Sequence, residues 1–198
     1  MLISHKFQII FIKPIKVAGS SFEVALSSFC DPEDIVTPCS AIRKPDEGKV
    51  PLYQMQGQNY IDPVWKNGQK SKGAFREHMP AVEMKLGIPD EVWNDYLKVS
   101  MLRDPDDVRY SSFLWMKEKD GYPQTFEDCI KKYPDPNPNA AITHIGGKSV
   151  VDFWIRFDHL EEDIKRLEKL KTIIGLWDKF KNTNLKSHTQ RLYGGITS

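Results

Sequence analysis

An α/β fold, a parallel sheet flanked by helices, is predicted from one local pattern that occurs three times along the chain: an apolar run, a short polar loop, then an amphipathic helix. The first copy begins at residues 7–13 (FQIIFIK), a β-branched and aromatic run of the kind a buried strand needs. After the turn VAGS, Phe22, Ala25, Leu26 and Phe29 fall at i, i+3, i+4 and i+7, one apolar helical face. The second copy is LKVSML at 97–102, then RDPDD, then a helix over about 106–119. The third is VVDFWI at 150–155, then RFD, then a helix whose Leu160, Ile164, Leu167 and Leu170 form a stripe. Asp158 and Glu161 have the spacing of a capping box at its start. A further helix is expected over 80–87, with Pro80 in its first turn and Gly87 at its end.

The chain has 198 residues, which suits a single domain, 1–198, with its core over about 7–38 and 76–175. Hydrophobic residues at 40% and aromatic residues at 11% argue against a disordered chain. A balance of 28 Lys and Arg against 27 Asp and Glu leaves no broad cationic face for nucleic acid, although a local anion site remains open. The first apolar run is short and flanked by Lys6 and Lys13, whereas a spanning helix needs roughly 20 apolar residues. No signal-peptide cleavage pattern follows it. Cys30, Cys39 and Cys129 are odd in number and without CxxC spacing, which suits a reducing compartment rather than a disulfide scaffold or zinc site. The expectation is a cytoplasmic protein; a luminal domain separated from its anchor has the same composition. Residues 40–73 and 120–147 are rich in turn formers and fit no core element, and long loops of this kind more often bind substrate than build structure.

Lys16-Val17-Ala18-Gly19-Ser20-Ser21 lies between the first strand and the first helix. Helix N-terminal N–H groups lack intrahelical partners and the dipole there favours an anion. Small residues let those amides approach a ligand, Ser20 and Ser21 add hydroxyls, and Lys16 adds a charge. The segment is not a Walker A loop, because its lysine precedes the glycine and no GK[S/T] follows. A tight turn with a serine cap explains the same residues without a ligand. The second loop runs from Arg103 to Ser111. Arg103 ends a strand, which is where open α/β sheets hold ligands, and its fork suits a phosphate. An ion pair to Asp106 or Asp107 is the structural alternative.

Together the two loops resemble those of sulfotransferases that use 3′-phosphoadenosine 5′-phosphosulfate (PAPS). K-V-A-G-S-S-F is similar to their K-T-G-G-T-S-L and K-S-G-T-T-W loops. R-D-P-D-D-V-R-Y-S is similar to their R-[N/D]-P-x-[D/E]-x-x-x-S motif, with the same spacing of eight from Arg103 to Ser111. HMPAVEMKLGIPDEVWNDYLKVSMLRDP and VVDFWIRFDHLEEDIKRL resemble segments of the carbohydrate branch of that family. Four motifs in order cover about residues 7–170. Ile15 stands for the family's usual Pro, Val17 for Thr or Ser, Ala18 for Gly and Asp158 for Glu, and none of these removes a charge the chemistry needs.

The resemblance implies a P-loop-NTPase-like fold and sulfuryl transfer from PAPS to an acceptor hydroxyl, with a saccharide as the expected acceptor. The product would be 3′-phosphoadenosine 5′-phosphate (PAP), and no metal is called for. Lys16 would stabilise charge on the leaving oxygen. The amides of Val17, Ala18, Gly19, Ser20 and Ser21 would hold the 5′-phosphate, and Arg103 and Ser111 the 3′-phosphate. His78 would be the general base, with Glu77 as fallback, because an imidazole near pH 6.5 is available as a neutral base. Lys186, Ser187 and Arg191 would add polar groups to the nucleotide site, and residues 40–73 and 120–147 would face the acceptor. His5 is expected to be solvated, His159 to cap a helix, His144 to lie near an acceptor, and Trp115 and Met116 to be core. Two competing expectations are a degenerate relative that binds a nucleotide or saccharide without turnover, and an NTPase with an aberrant phosphate loop, which would need magnesium. Oligomeric state and acceptor identity are not encoded in any motif.

Overall fold

A computed structural model describes residues 1–43, 50–55, 57–60, 75–117, 121–135, 137 and 139–183. In chain order the elements are β1 (Leu2–Ser4), β2 (Ile9–Phe11), α1 (Gly19–Ser27), β3 (Ile35–Val36), β4 (Cys39–Arg43), β5 (Val50–Met55), α2 (Ala81–Gly87), α3 (Asp90–Asp95), β6 (Leu97–Leu102) and α4 (Pro105–Met116). They continue with α5 (Phe126–Lys132), α6 (Ala140–Thr143), β7 (His144–Ile145), β8 (Lys148–Ser149), β9 (Phe153–Arg156), a 3-10 turn (Phe157–His159), α7 (Leu160–Lys171) and α8 (Leu176–Asn182).

The main sheet has the order β3-β1-β2-β6-β9. Its α/β character is as expected, but the sheet is mixed rather than parallel. β2, β6 and β9 run parallel, whereas β1 is antiparallel to both β2 and β3. The cause is a tight turn at His5–Gln8, where Gln8 takes φ 51° and its N–H donates to His5 O at 3.3 Å. That turn folds the first residues back as a hairpin instead of letting a crossover carry them to a parallel neighbour. β4 with β5 and β7 with β8 form separate two-stranded sheets.

Two apolar layers cover the sheet. Leu2, Ile9, Phe11, Val99, Met101 and Ile155 share one cluster with α1, α7 and α8. Ile3, Ile10 and Ile12 share the other with Ala81, Met84, Ile88, Trp93 and Ile142. The alternation within β1 and β2 assigns successive side chains to opposite faces, so both faces of these short strands must be apolar. Hence the central run shows no polar/apolar alternation. The strand expected over 7–13 narrows to Ile9–Phe11, and the one over 150–155 shifts to Phe153–Arg156.

The helices follow the sequence closely where caps are local. Asp104 accepts hydrogen bonds from the N–H groups of Asp106 and Asp107, and Pro105 occupies the first turn of α4. Pro80 precedes α2 and Gly87 ends it. The capping box at Asp158 does not form. A 3-10 turn intervenes, and α7 begins without a side-chain cap. Asp163 is fully buried and instead receives Arg156 in a two-pronged bond, Nε to Oδ2 at 2.8 Å and Nη2 to Oδ1 at 2.9 Å. Leu170, the last member of the predicted stripe, is exposed. Residues 121–135 and 139–147 hold α5, α6 and β7 rather than turns alone. Among the described residues no helix is long and apolar enough to cross a membrane. All three cysteines are free thiols.

Candidate functional site

The loop from Ile12 to Ala18 leaves the carboxyl end of β2, beside the carboxyl end of its parallel neighbour β6. The two segments singled out in the sequence are therefore adjacent, at the edge where open α/β sheets take ligands. Lys16 and Ala18 both adopt left-handed backbone, φ 60° and φ 65°. Ala18 is thus at a position where glycine costs least. Gly19 serves a different need. A Cβ there would lie 3.1 Å from Lys13 Cγ, so the glycine lets α1 start close against the β2 extension.

Three carbonyls of this loop are held from three different segments. Lys13 O pairs with His78 Nδ1 at 3.0 Å. Ile15 O accepts from Asn139 Nδ2 at 3.1 Å, and Ile15 N–H donates to Asn139 Oδ1 at 2.8 Å. Lys16 O accepts from Arg103 Nη1 at 3.0 Å. In a trans peptide the C=O of one residue and the N–H of the next point in opposite directions. Tying the carbonyls of residues 15 and 16 into the protein therefore turns the amides of Lys16 and Val17 the other way. Within the described residues, no hydrogen bond uses the N–H groups of Val17, Ala18, Gly19, Ser20 or Ser21. Successive amides of this kind at a helix start form a concavity for an anion.

Lys16 places its ammonium 4.6 Å above the Trp115 ring. Trp115 is 53% exposed, so it is an accessible aromatic face beside the loop and not the core residue its spacing suggested. Helix α4 buries Val108, Ser111 and Phe113 and leaves residue 115 outward. Arg103 is packed over the Phe157 ring at 4.1 Å, and its Nε lies 3.6 Å from Asp107. The structural ion pair is therefore present together with the loop contact, while Asp106 pairs with Arg109. Ser111 is only 6% exposed, two turns into α4. Lys186, Ser187 and Arg191 lie outside the described residues, as do residues 61–74.

Behind the loop sits a buried charge cluster that sequence reasoning missed. Lys13 is 1% exposed, and its ammonium lies 2.6 Å from Glu23, 2.5 Å from Glu77 and 3.6 Å from Cys39 Sγ. Glu23, Cys39 and Glu77 have the composition of a cation site, and Lys13 supplies the cation. Burial disfavours the charged lysine, but Glu23 and the neighbouring groups outweigh it and raise its pKa. Burial pushes the Glu77 carboxyl up, and the Lys13 charge overrides this and holds it below the ordinary carboxylate value. Glu77 is thus a bound counter-ion, a poorer base than its position in the sequence implied. A lysine inside an apolar run gave no sign of burial; only the acidic Glu23 on an otherwise apolar helix face hinted at a partner.

His78 is half-buried, with left-handed φ 54°. A carbonyl can only accept, so Nδ1 carries the hydrogen toward Lys13 O and neutral His78 keeps its lone pair on Nε2. Burial, then the Lys13 charge, lower its pKa from 6.5. The other histidines are less suited to chemistry. His5 Nδ1 is 2.8 Å from the Tyr96 hydroxyl rather than free in solvent, His144 pairs with Thr143, and His159 lies beside Glu162.

No family model, curated protein or solved structure matches the chain.

Proposed function

We propose that the chain is a PAPS-dependent sulfotransferase acting on an acceptor hydroxyl, with a saccharide as the favoured acceptor class. The observation that carries this reading is the run of five amides at Val17–Ser21 that make no hydrogen bond among the described residues, bordered by Lys16 and held against Arg103 at the end of the neighbouring parallel strand. Amides, hydroxyls and one lysine fit a 5′-phosphosulfate. The donor, when bound, supplies the sulfuryl group and the 3′,5′-bisphosphate leaving group.

The chain's own residues would act by position and charge, as in other transfers of this kind. The Val17–Ser21 amides bind and orient the 5′-phosphate. Lys16 offsets charge that grows on the leaving oxygen. Arg103, just after β6, with Ser111 on the following helix α4, distinguishes a 3′-phosphorylated nucleotide from ADP. His78 Nε2 takes the proton of the acceptor hydroxyl, and its lowered pKa keeps it neutral at pH 7. Lys13 supports this from behind, through its carbonyl to His78 and its ammonium to Glu77.

Thermal unfolding with PAP against ADP tests the reading. At 100 times its dissociation constant PAP should stabilise by about 2.7 kcal/mol. That is a rise of several degrees, at about 2–4 °C per kcal/mol. Arg103→Ala should remove the rise. A folded protein that responds to neither nucleotide would overturn the proposal. His78→Asn separates an enzyme from a binding module, because turnover with PAPS should fall at least a hundredfold while PAP still binds.

A further inference from the structure

Asn139 occupies the N-cap position of α6, where asparagine is among the preferred residues because its side chain caps the helix's own amides. It makes no such bond. Its amide instead reaches across 124 positions of sequence and clamps both main-chain groups of Ile15, at 2.8 Å and 3.1 Å. A residue that gives up its local role for a distant loop is held by something other than helix stability. Ile15 directly precedes Lys16, whose left-handed backbone begins the turn of amides into α1. Rotation of the Ile15–Lys16 peptide would swing the Lys16 amide and redirect the lysine side chain.

We propose that Asn139 is a positioning residue for the 5′-phosphosulfate loop, setting the direction of the Lys16 amide, where the turn into the Val17–Ser21 amides begins, from the segment that carries α6 and β7. This rests on the sulfotransferase reading above and extends it to a residue outside its motifs. The geometry makes a selective demand. Asn139 touches the loop that would hold the 5′ end of the donor and makes no hydrogen bond to Arg103 or Ser111, which would hold the 3′-phosphate.

The test compares PAP with adenosine 3′-phosphate, which lacks the 5′-phosphate, by calorimetric titration of the whole chain. Asn139→Ala should weaken PAP about tenfold, the scale of two lost hydrogen bonds, and leave adenosine 3′-phosphate within twofold of its original affinity. Asn139→Ser guards against misfolding. Serine is as favourable at an N-cap position as asparagine but cannot span to Ile15. It should keep the wild-type melting temperature within a few degrees and show the same selective loss. Arg103→Ala should weaken both ligands. Equal loss of both ligands in the Asn139 variants, or unchanged PAP affinity in Asn139→Ser, overturns the positioning role while leaving the sulfotransferase reading intact. Failure of the unaltered protein to bind PAP overturns both.

Discussion

At Ala18 and Gly19 two adjacent small residues answer two different constraints. Ala18 carries the left-handed backbone, and Gly19 carries the close approach to Lys13 Cγ. Ala18→Gly should therefore stabilise by about 0.5 kcal/mol, the relief of left-handed strain less the added freedom of the unfolded chain. Gly19→Ala should destabilise by about 1–2 kcal/mol, because Lys13 is pinned by Glu23 and Glu77 and cannot give way freely. Urea unfolding of the two variants checks both signs, and a reversed order would show that the strain lies at residue 19. Lys13→Met removes the cation from between two carboxylates, one of them fully buried. Its expected cost is about 3–5 kcal/mol. An unchanged midpoint in the same denaturation series would show that Glu23 and Glu77 are satisfied without Lys13. The sequence placed His78 and Glu77 side by side as possible bases; only the packing around Lys13 separates their roles.

At the scale of elements, α4 is the helix most legible from sequence. Its cap, first-turn proline and acidic first turn are consecutive residues, and all three are local interactions that do not depend on the rest of the chain. Asp104→Ala should cost about 1 kcal/mol. It should also loosen Arg103 at the site, because Asp107, the partner of Arg103, lies in the turn that Asp104 caps. A circular-dichroism melt together with PAP affinity reads both effects, and an unchanged melt would mean that α4 is held by packing alone. The start of α7 departs from its local sequence signal for the opposite reason. The Asp158–Glu161 spacing is a local signal, but buried Asp163 binds Arg156 at the end of β9. That bidentate contact directs the strand-to-helix turn and overrides the weaker exposed box. Strands β1 and β3 are too short for any periodicity to register in the sequence.

At the scale of the whole molecule, His78 ties global stability to pH. Its folded pKa lies below 6.5 because burial and Lys13 disfavour the charged ring. The unfolded chain therefore takes up the proton first as pH falls. The neutral-His78 contribution is fully present above pH 6.5 and is lost as pH drops below it. His78→Asn, which tolerates the left-handed backbone, should flatten the decline in unfolding free energy that begins below pH 6.5. Glu77 adds a second decline below about pH 4.5, because its folded pKa is depressed. Chemical denaturation at each pH distinguishes the two windows, and an identical pH slope in His78→Asn would remove His78 from the account.

The sequence by itself determined the α/β class, the strand–loop–helix order, the ends of α2, the cap of α4 and the two candidate loops, because each depends on residues within one or two turns of each other. Tertiary structure alone decided the antiparallel β1, the exposure of Trp115, the capture of Glu77 by Lys13 and the clamp of Asn139 on Ile15. These are contacts between segments far apart in the chain, where charge and hydrogen-bonding capacity are satisfied by whichever partner the fold brings near. No spacing rule encodes that choice. A lysine reads the same on paper whether it is solvated or, like Lys13, enclosed by two carboxylates.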